Sequence, residues 1–410
     1  MKDIINQKKV TINVIGLGYI GLPTSLMLSS KGFKVIGTDI DSQKVEKLKS
    51  GELTFHEEGF ETLFKAAKTH NIKFESDYQK TNLYIVTVPT PFIVQSKKID
   101  PRYVIEAVKK IVKICDNHSI IIIESTISPG FIDQHVRPII REVILDKTIH
   151  LVHAPERILP GNMIQELINN SRTIGLDNDE IKEKVHMVYS SFCQGQIVYT
   201  DIKTAEMSKV VENTFRDVNI AFANELAKIC REANLNVYDV IKISNMHPRV
   251  NVLNPGPGVG GHCIPVDPWF LVGDFPNQTK LISSARNVNE GMAKYVFNRI
   301  KEVMKLSSIL NFQKVGLYGL SYKEDVDDFR ESPTLKLLNN YKEEFQIYDP
   351  HVKNFKLNNQ HSDFNEFLNS IDLIVIFVGH REIIDQQELL KNKVVLDLKN
   401  VIIHKNKYTL

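Results

Sequence analysis

The stretch "KVTINVIGLGYIGLP" constrains this chain more than any other, because three glycines follow a β-branched run at fixed intervals. Val10–Ile15 has the composition of a buried strand, and the residues through Leu28 read as a helix. Between them, Gly16, Gly18 and Gly21 fit the spacing GxGxxG. At such a turn the first glycine permits the tight bend and the second lets a pyrophosphate approach the backbone. The third lets helix pack closely on strand. Glycines cluster in many turns, so the spacing gains weight from its context. Asp39 closes the next apolar run, "FKVIGTD", 18 residues beyond Gly21. A carboxylate there accepts hydrogen bonds from ribose hydroxyls and repels a 2′-phosphate, so the pattern predicts an NAD-binding fold.

The pattern continues. "NLYIVTVPTP", "SIIIIEST" and "IHLVHAPE" are further short apolar runs ending in polar or proline-marked loops. Helical segments at Asp41–Ser50, Pro101–Cys115 and Phe131–Leu145 lie between them. Alternation of this kind predicts a parallel sheet with helices on both faces, whose ligands bind beyond the carboxyl ends of the strands. The loops that carry Gly16, Asp39, Thr90, Thr126 and Glu156 all lie on that rim. Thr90 and Thr126 either touch a ligand there or serve as turn and cap residues.

From Thr204 to about Ala233, Met207, Val211, Phe215, Val218, Phe222, Leu226 and Ile229 recur every three or four residues. This marks one long helix, which bridges domains, packs on a second subunit, or runs through a single core. After Leu306, "KVGLYGLSYK", "EFQIYDP", "DLIVIFVG" and "VVLDLKN" repeat the strand pattern. Asp349 stands after the second of these strands as Asp39 does in the first half. The fold class is therefore α/β. A Rossmann-type NAD domain is expected over 1–200, a central helical region over 201–305 and a smaller Rossmann-like domain over 306–410.

A chain of 410 residues with 42% hydrophobic and 24% charged residues is ordinary for a globular protein of several domains. The formal charge is +2 with no basic block, which leaves no footprint for nucleic acid. No stretch approaches the ~20 apolar residues that cross a bilayer, and the first residues lack a signal-peptide core. A cytoplasmic location is expected. Cys115, Cys193, Cys230 and Cys263 stand far apart, which argues against disulfides and a cysteine zinc site; no metal is expected.

Cys263 lies in "PGPGVGGHCIPVDPWF", where little packs around it but a substrate can come close. If Gly258, Gly260 and Gly261 serve that approach, side chains there should block substrate and leave the fold intact. Cys263 should also be the most reactive of the four thiols. Lys209 and Asn213 stand one turn apart on the long helix, as either a solvated pair or part of a cleft. His247 and Arg249 precede the glycine loop; the arginine suits a phosphate or carboxylate, and the histidine has a structural alternative. Glu156 and Arg157 follow one strand, and Lys323 and Arg330 another. An NAD fold, a loop thiol and a helix lysine together suit oxidation of an aldehyde through a thioester. An inactive NAD-binding scaffold and a one-step hydroxy-acid dehydrogenase are the alternatives; the first needs no thiol, and the second would use a His or Lys instead.

The chain resembles the nucleotide-sugar 6-dehydrogenase family. The resemblance rests on "GLGYIGLPT", "VPTP", "ESTISPG", "APERILPG", "AEMSKVVENTFRDVNIAFANEL", "HPRVNVLNPGPGVGGHCIPVDPW" and "YKEDVDDFRESP", in the family's order over nearly the whole chain. It implies two oxidations at C6 of a UDP-sugar with two NAD, a dimer formed through the central helix, and a carboxyl-terminal domain that helps hold UDP. It further implies that Cys263 is the nucleophile and that Lys209 and Asn213 support proton transfer and the oxyanion. Asp267 and Glu156 would handle water and protons. Arg157, Ile158, Lys209, Asn213, Arg216, His247, Arg249, Gly260, Tyr322 and Lys323 would contact the UDP-sugar. Gly16, Gly18, Tyr19, Ile20, Gly21, Asp39, Thr90, Thr126 and Arg330 would contact NAD. The sequence departs from many relatives at Ala154 and at Lys399, where an arginine contact is put in doubt. "HPRVN" points to the branch acting on UDP-N-acetyl-D-mannosamine, with UDP-N-acetyl-D-glucosamine as the alternative. The acid product would be a precursor of cell-surface polysaccharide such as capsule.

Overall fold

The computed structural model describes residues 10–70, 72–143, 147–353 and 357–410. The chain divides into two compact units between Val211 and Glu212.

The first unit is built on eight strands: β1 (Thr11–Ile15), β2 (Lys34–Thr38), β3 (Lys73–Glu75), β4 (Leu83–Val86), β5 (Ser119–Ile123), β6 (Ile149–His153), β7 (Arg172–Leu176) and β8 (Ile197–Thr200). Their spatial order is β3-β2-β1-β4-β5-β6-β7-β8, and β1 to β6 run parallel. Every residue of β4 and β5 is buried, which is why these strands read as unbroken apolar runs and not as alternation. The order reverses between β1 and β4, so a crevice opens beyond Ile15 and Val86. The helix expected at Asp41–Ser50 spans Ser42–Ser50, with the Asp41 carboxylate accepting the N–H groups of Gln43 and Lys44. The helix expected at Pro101–Cys115 spans Arg102–Ile114.

Two expectations need correction. The helix expected over Phe131–Leu145 opens as a π-turn at Ile132–Val136 before Arg137–Val143 turns α-helical, and Leu145 falls outside the described residues. The sheet is also not wholly parallel, because β7 runs antiparallel to β6. The seven-residue helix Met163–Asn169 rises only about 10 Å, less than the ~17 Å of a five-residue strand. The chain therefore re-enters the sheet at the rim where it left, and the first residue of β7, Arg172, stays on that rim.

The second unit has five parallel strands: β9 (Val315–Tyr318), β10 (Gln346–Tyr348), β11 (Leu373–Ile376), β12 (Val394–Asp397) and β13 (Lys407–Tyr408). The order β10-β9-β11-β12-β13 is again doubly wound, with its switch point between β9 and β11. Met292, Val296, Ile300 and Val303, one face of the helix Met292–Leu306, join Leu317, Leu373 and Val375 in its core.

The long helix spans Ile202–Glu232, about 46 Å, close to its expected limits. On its second turn the buried Glu206 carboxylate accepts the N–H groups of Gly130 and Ile132, fixing the loop that follows Thr126. Burial pushes Glu206 up to about 7 from an ordinary 4.5, although the two amides pull the other way. The folded state therefore holds more protons than the unfolded one between pH 4.5 and about 7, and this group's contribution to stability falls as pH rises through that window. Glu206→Gln should flatten the decline in stability between about pH 5 and 7 while costing about 1 kcal/mol for the weakened amide contact. Urea unfolding at stepped pH reads both effects; an unchanged slope would assign the titration to another group.

Candidate active site

The rim of the first sheet is shaped by its glycines. Gly16 has φ +93°, and a Cβ there would lie 2.8 Å from the Thr87 carbonyl oxygen. A Cβ on Gly21 would sit 1.8 Å from the Gly16 oxygen, so only glycine lets the helix start this close to the turn. A Cβ on Gly18 would meet nothing within 4 Å, which leaves its backbone open to a phosphate. Tyr19 and Ile20 lead into the helix Gly21–Ser30, and the Tyr19 ring lies 4.5 Å from Phe55. Asp39 Oδ2 accepts the Leu17 N–H at 2.7 Å and Oδ1 the Asp41 N–H at 3.0 Å. Lys44 Nζ lies 2.9 Å from Oδ2, a cation the sequence reading did not pick out. Thr90 and Thr126 are half-buried on the same rim. The open Gly18 backbone and the Asp39 carboxylate fit the pyrophosphate and ribose of NAD.

Behind the rim lies a charge cluster that the sequence reading missed. Arg172, fully enclosed, ion-pairs with Glu156 and reaches Glu124 at 3.4 Å. The Tyr189 hydroxyl donates to Glu124 at 2.7 Å, and the Arg172 guanidinium lies 4.5 Å over the Tyr189 ring. Burial pushes Glu124 up to about 7, against the pull of Arg172. Desolvation works against the Arg172 charge, but the two carboxylates outweigh it and hold the guanidinium above its ordinary value. Glu156 is thus a held carboxylate, which also accepts the Arg157 N–H at 2.7 Å. Arg157 directs its guanidinium to the Ser171 carbonyl and, at 2.9 Å, to Thr173 Oγ1. The Ile158 side chain belongs to the hydrophobic core. The one sequence signal for the cluster was a carboxylate placed directly after "SIIII" and an arginine opening "RTIGL".

In the second unit Cys263 is the one cysteine that is not buried. Its carbonyl accepts the N–H groups of Val266 and Asp267, so the thiol sits at the entry to the helix Asp267–Asp274. Asn213 Nδ2 donates to Asp267 Oδ2 at 2.6 Å. Lys209 and Asn213 are both buried, which rules out the solvated pair. Although His262 keeps exposed surface, desolvation and the nearby Arg330 charge push it down to about 4. It is neutral at pH 7 and adds no charge beside the thiol. Behind this helix, Arg286 pairs with Asp217 at 2.7 Å, both fully buried, and lies 5.7 Å over the Trp269 ring.

The glycine loop is bare for a second reason. A Cβ on Gly260 would stand 2.7 Å from Tyr322 Cβ and 2.9 Å from the Glu331 oxygen. Gly261, at φ +87°, donates its N–H to the Arg330 carbonyl. A valine at 260 would therefore displace Tyr322, and the expectation that it leaves the fold intact does not hold. The same packing brings Tyr322 and Arg330 to the thiol's loop, with Lys323 half-buried next in sequence. Arg330 Nε donates to Asp328 Oδ1 at 2.7 Å. Arg216, His247 and Arg249 are exposed, and His247 Nδ1 only accepts the Arg249 N–H at 3.3 Å, so the satisfied structural histidine is not what is found.

The UDP-glucose/GDP-mannose dehydrogenase family matches the chain in its three parts: the NAD binding domain over residues 10–193, the central domain over 203–291 and the UDP binding domain over 316–404. A UDP-N-acetyl-D-mannosamine dehydrogenase of Methanococcus vannielii is 45% identical, over 97% of this chain and 94% of its own. Another of that name, from Campylobacter jejuni, is 37% identical over 91% of this chain and 96% of its own. The solved UDP-N-acetyl-mannosamine dehydrogenase of Staphylococcus aureus is 38% identical and superimposes with a TM-score of 0.87, covering 97% of this chain and 98% of its own.

With Lys44 paired to Asp39, loss of the carboxylate does more than remove a repulsion: it leaves a cation free for a 2′-phosphate. Asp39→Ala should lower the preference for NAD over NADP by about tenfold or more. Titration with each cofactor measures this; an unchanged ratio would refute the ribose assignment.

Proposed function

From the premise that this chain belongs to the UDP-glucose/GDP-mannose dehydrogenase family, NAD-dependent oxidoreductases of nucleotide sugars, we propose that it oxidises C6 of UDP-N-acetyl-D-mannosamine to the carboxylate. The observation that carries the reading is Cys263: the one half-buried cysteine beside three buried ones, on a glycine loop one turn before an Asp267 carboxylate held by Asn213. Several relatives named for this sugar, and the motif "HPRVN", favour N-acetylmannosamine over N-acetylglucosamine. An inactive scaffold is disfavoured by the intact Cys263, Lys209, Asn213 and Asp267.

The C6 alcohol first loses a proton and a hydride to become an aldehyde. The Cys263 thiolate adds to its carbon, forming a C–S bond, and the alkoxide takes up a proton to give a thiohemiacetal. A second loss of proton and hydride leaves the thioester. Water then adds, the C–S bond breaks, and the acid and free thiol are released. Bound NAD would supply the hydride acceptor for each oxidation, and the overall balance is alcohol, water and two NAD⁺ to carboxylate, two NADH and three protons. The Lys209 ammonium would stabilise the developing oxyanion, with Asn213 holding Asp267 for proton and water handling. Glu156, kept in place by Arg172, would serve the hydrolytic step.

Gly16, Gly18, Tyr19, Ile20, Gly21, Asp39, Thr90, Thr126 and Arg330 form the proposed NAD contacts. Arg157, Ile158, Lys209, Asn213, Arg216, His247, Arg249, Gly260, Tyr322 and Lys323 form the proposed UDP-sugar contacts. The enzyme would work in the cytoplasm as a homodimer and supply a precursor of cell-surface polysaccharide. Support for the dimer comes from Val211, Phe215, Phe222 and Ile229, exposed at heptad-like spacing on one helix. No helix among the described residues is long and apolar enough to cross a membrane.

Supplied with UDP-N-acetyl-D-mannosamine, the protein should yield two NADH per sugar, and Cys263→Ser should abolish acid formation while NAD still binds. A ratio of one, or full activity in the serine variant, would sink the covalent route. Light scattering at micromolar concentration should give the mass of two chains, and Phe222→Asp should halve it; a wild-type monomer would refute the dimer.

A further inference from the structure

The second sheet has its own switch point, where the loops after β9 and β11 meet. Between them lies His380, with no exposed surface. Its Nδ1 accepts the Asp325 N–H at 3.0 Å, so the ring proton is on Nε2. Nε2 faces Asp349 Oδ2 at 3.3 Å and Ser321 Oγ at 3.4 Å. The Ser321 hydroxyl in turn donates to the Lys323 carbonyl at 2.7 Å. Asp349 Oδ2 also accepts the N–H groups of Leu320 and Ser321, at 2.6 and 3.0 Å. Asp325 has φ +55°, a left-handed conformation that a non-glycine residue keeps only when its surroundings hold it. Arg381 completes that hold, its Nε 2.9 Å from Asp325 Oδ2.

The loop from Leu320 to Asp325 is therefore tied at both ends to one imidazole and the carboxylate beside it, and Tyr322 and Lys323 lie between those two ties. His351, Asp325 and His380 also bring ligand-type atoms together. Yet His380 spends one nitrogen on a main-chain N–H and turns the other to Asp349, so the ring offers a cation no lone pair.

We propose that His380 is a positioning residue for the nucleotide: it sets the main chain of residues 320–325 so that Tyr322 and Lys323 present themselves to a uridine diphosphate. The inference rests on the reading of those two residues as UDP-sugar contacts. It goes beyond that reading, because His380 itself touches no substrate.

The test is calorimetric titration of the full-length protein with UDP, for wild type, His380→Ala, His380→Asn and Ser321→Ala, followed by kinetics on the sugar. Asparagine can place its Oδ1 near the Nδ1 position and keep the Asp325 N–H, but it does not reach Asp349. The alanine variant at 380 should raise the Kd for UDP about tenfold or more, with asparagine and Ser321→Ala in between. KM for the UDP-sugar should rise in the same order while kcat at saturation stays near wild type. A residue that merely fills the core would lower the folded fraction, and hence kcat, and leave the Kd of the remaining protein unchanged; that outcome overturns the proposal. If His380→Ala does not fold, the asparagine and serine variants carry the same test. Wild type that turns over the sugar but does not bind UDP would instead overturn the assignment of Tyr322 and Lys323, and the inference with it.

Discussion

In both units a carboxylate at the end of the second strand of the sheet holds the turn after the first. Asp39 Oδ2 accepts the Leu17 N–H, just past Gly16 at φ +93°, and Asp349 Oδ2 accepts the Leu320 N–H, just past Gly319 at φ +98°. The glycine N–H in each turn bonds across to the neighbouring strand, at Thr38 and Tyr348. The device is the same because the problem is the same. A strand that ends at a switch point leaves amides without partners, and a short carboxylate one strand away can take them without a further element. What surrounds the carboxylate differs. Asp39 meets a lysine from the following helix, at the rim where the ribose is proposed to bind. Burial alone would raise Asp349, but the enclosed His380 and the amides of Ser321 and Val352 outweigh it and hold the carboxyl at about 2. The first arrangement suits recognition, the second support.

The buried charges follow a related logic. Arg172 between Glu124 and Glu156, and Arg286 against Asp217, are ion pairs removed from water, where desolvation consumes most of the Coulombic gain. Such groups are poor evidence for stability and better evidence for fixed geometry. Arg172 fixes the loop after β6 to the loop after β5, and Arg286 stands behind the helix that begins at Asp267. Each lies next to residues assigned to the chemistry, which is where fixed geometry matters most.

The glycine loop around Cys263 shows how one sequence feature can answer two constraints. Gly258 and Gly261 adopt φ values that side chains resist. Gly260 is dictated by the Tyr322 side chain and the Glu331 carbonyl pressed against it. The bareness that suggested room for a substrate is partly room already filled by the protein. Cys263 itself is half-buried, at the mouth of the next helix.

What the sequence determined by itself were the features that local chemistry dictates. Strand runs, the three glycines with separate steric roles, Asp39 after β2, the length of the central helix and the odd placement of one thiol all depend on neighbours within a few tens of residues. Burial was not legible at Lys209 and Asn213, because helical spacing places them on a face without saying what covers it. Nor was the direction of β7, which depends on how far a short helix carries the chain. The structure, not the spacing, showed that Lys44 pairs with Asp39, and tertiary structure alone decided that Arg172 joins Glu124 to Glu156 and that His380 lies beneath the loop of Tyr322 and Lys323. The last two of these bring together groups far apart in the sequence, and no periodicity within a single segment encodes such a meeting.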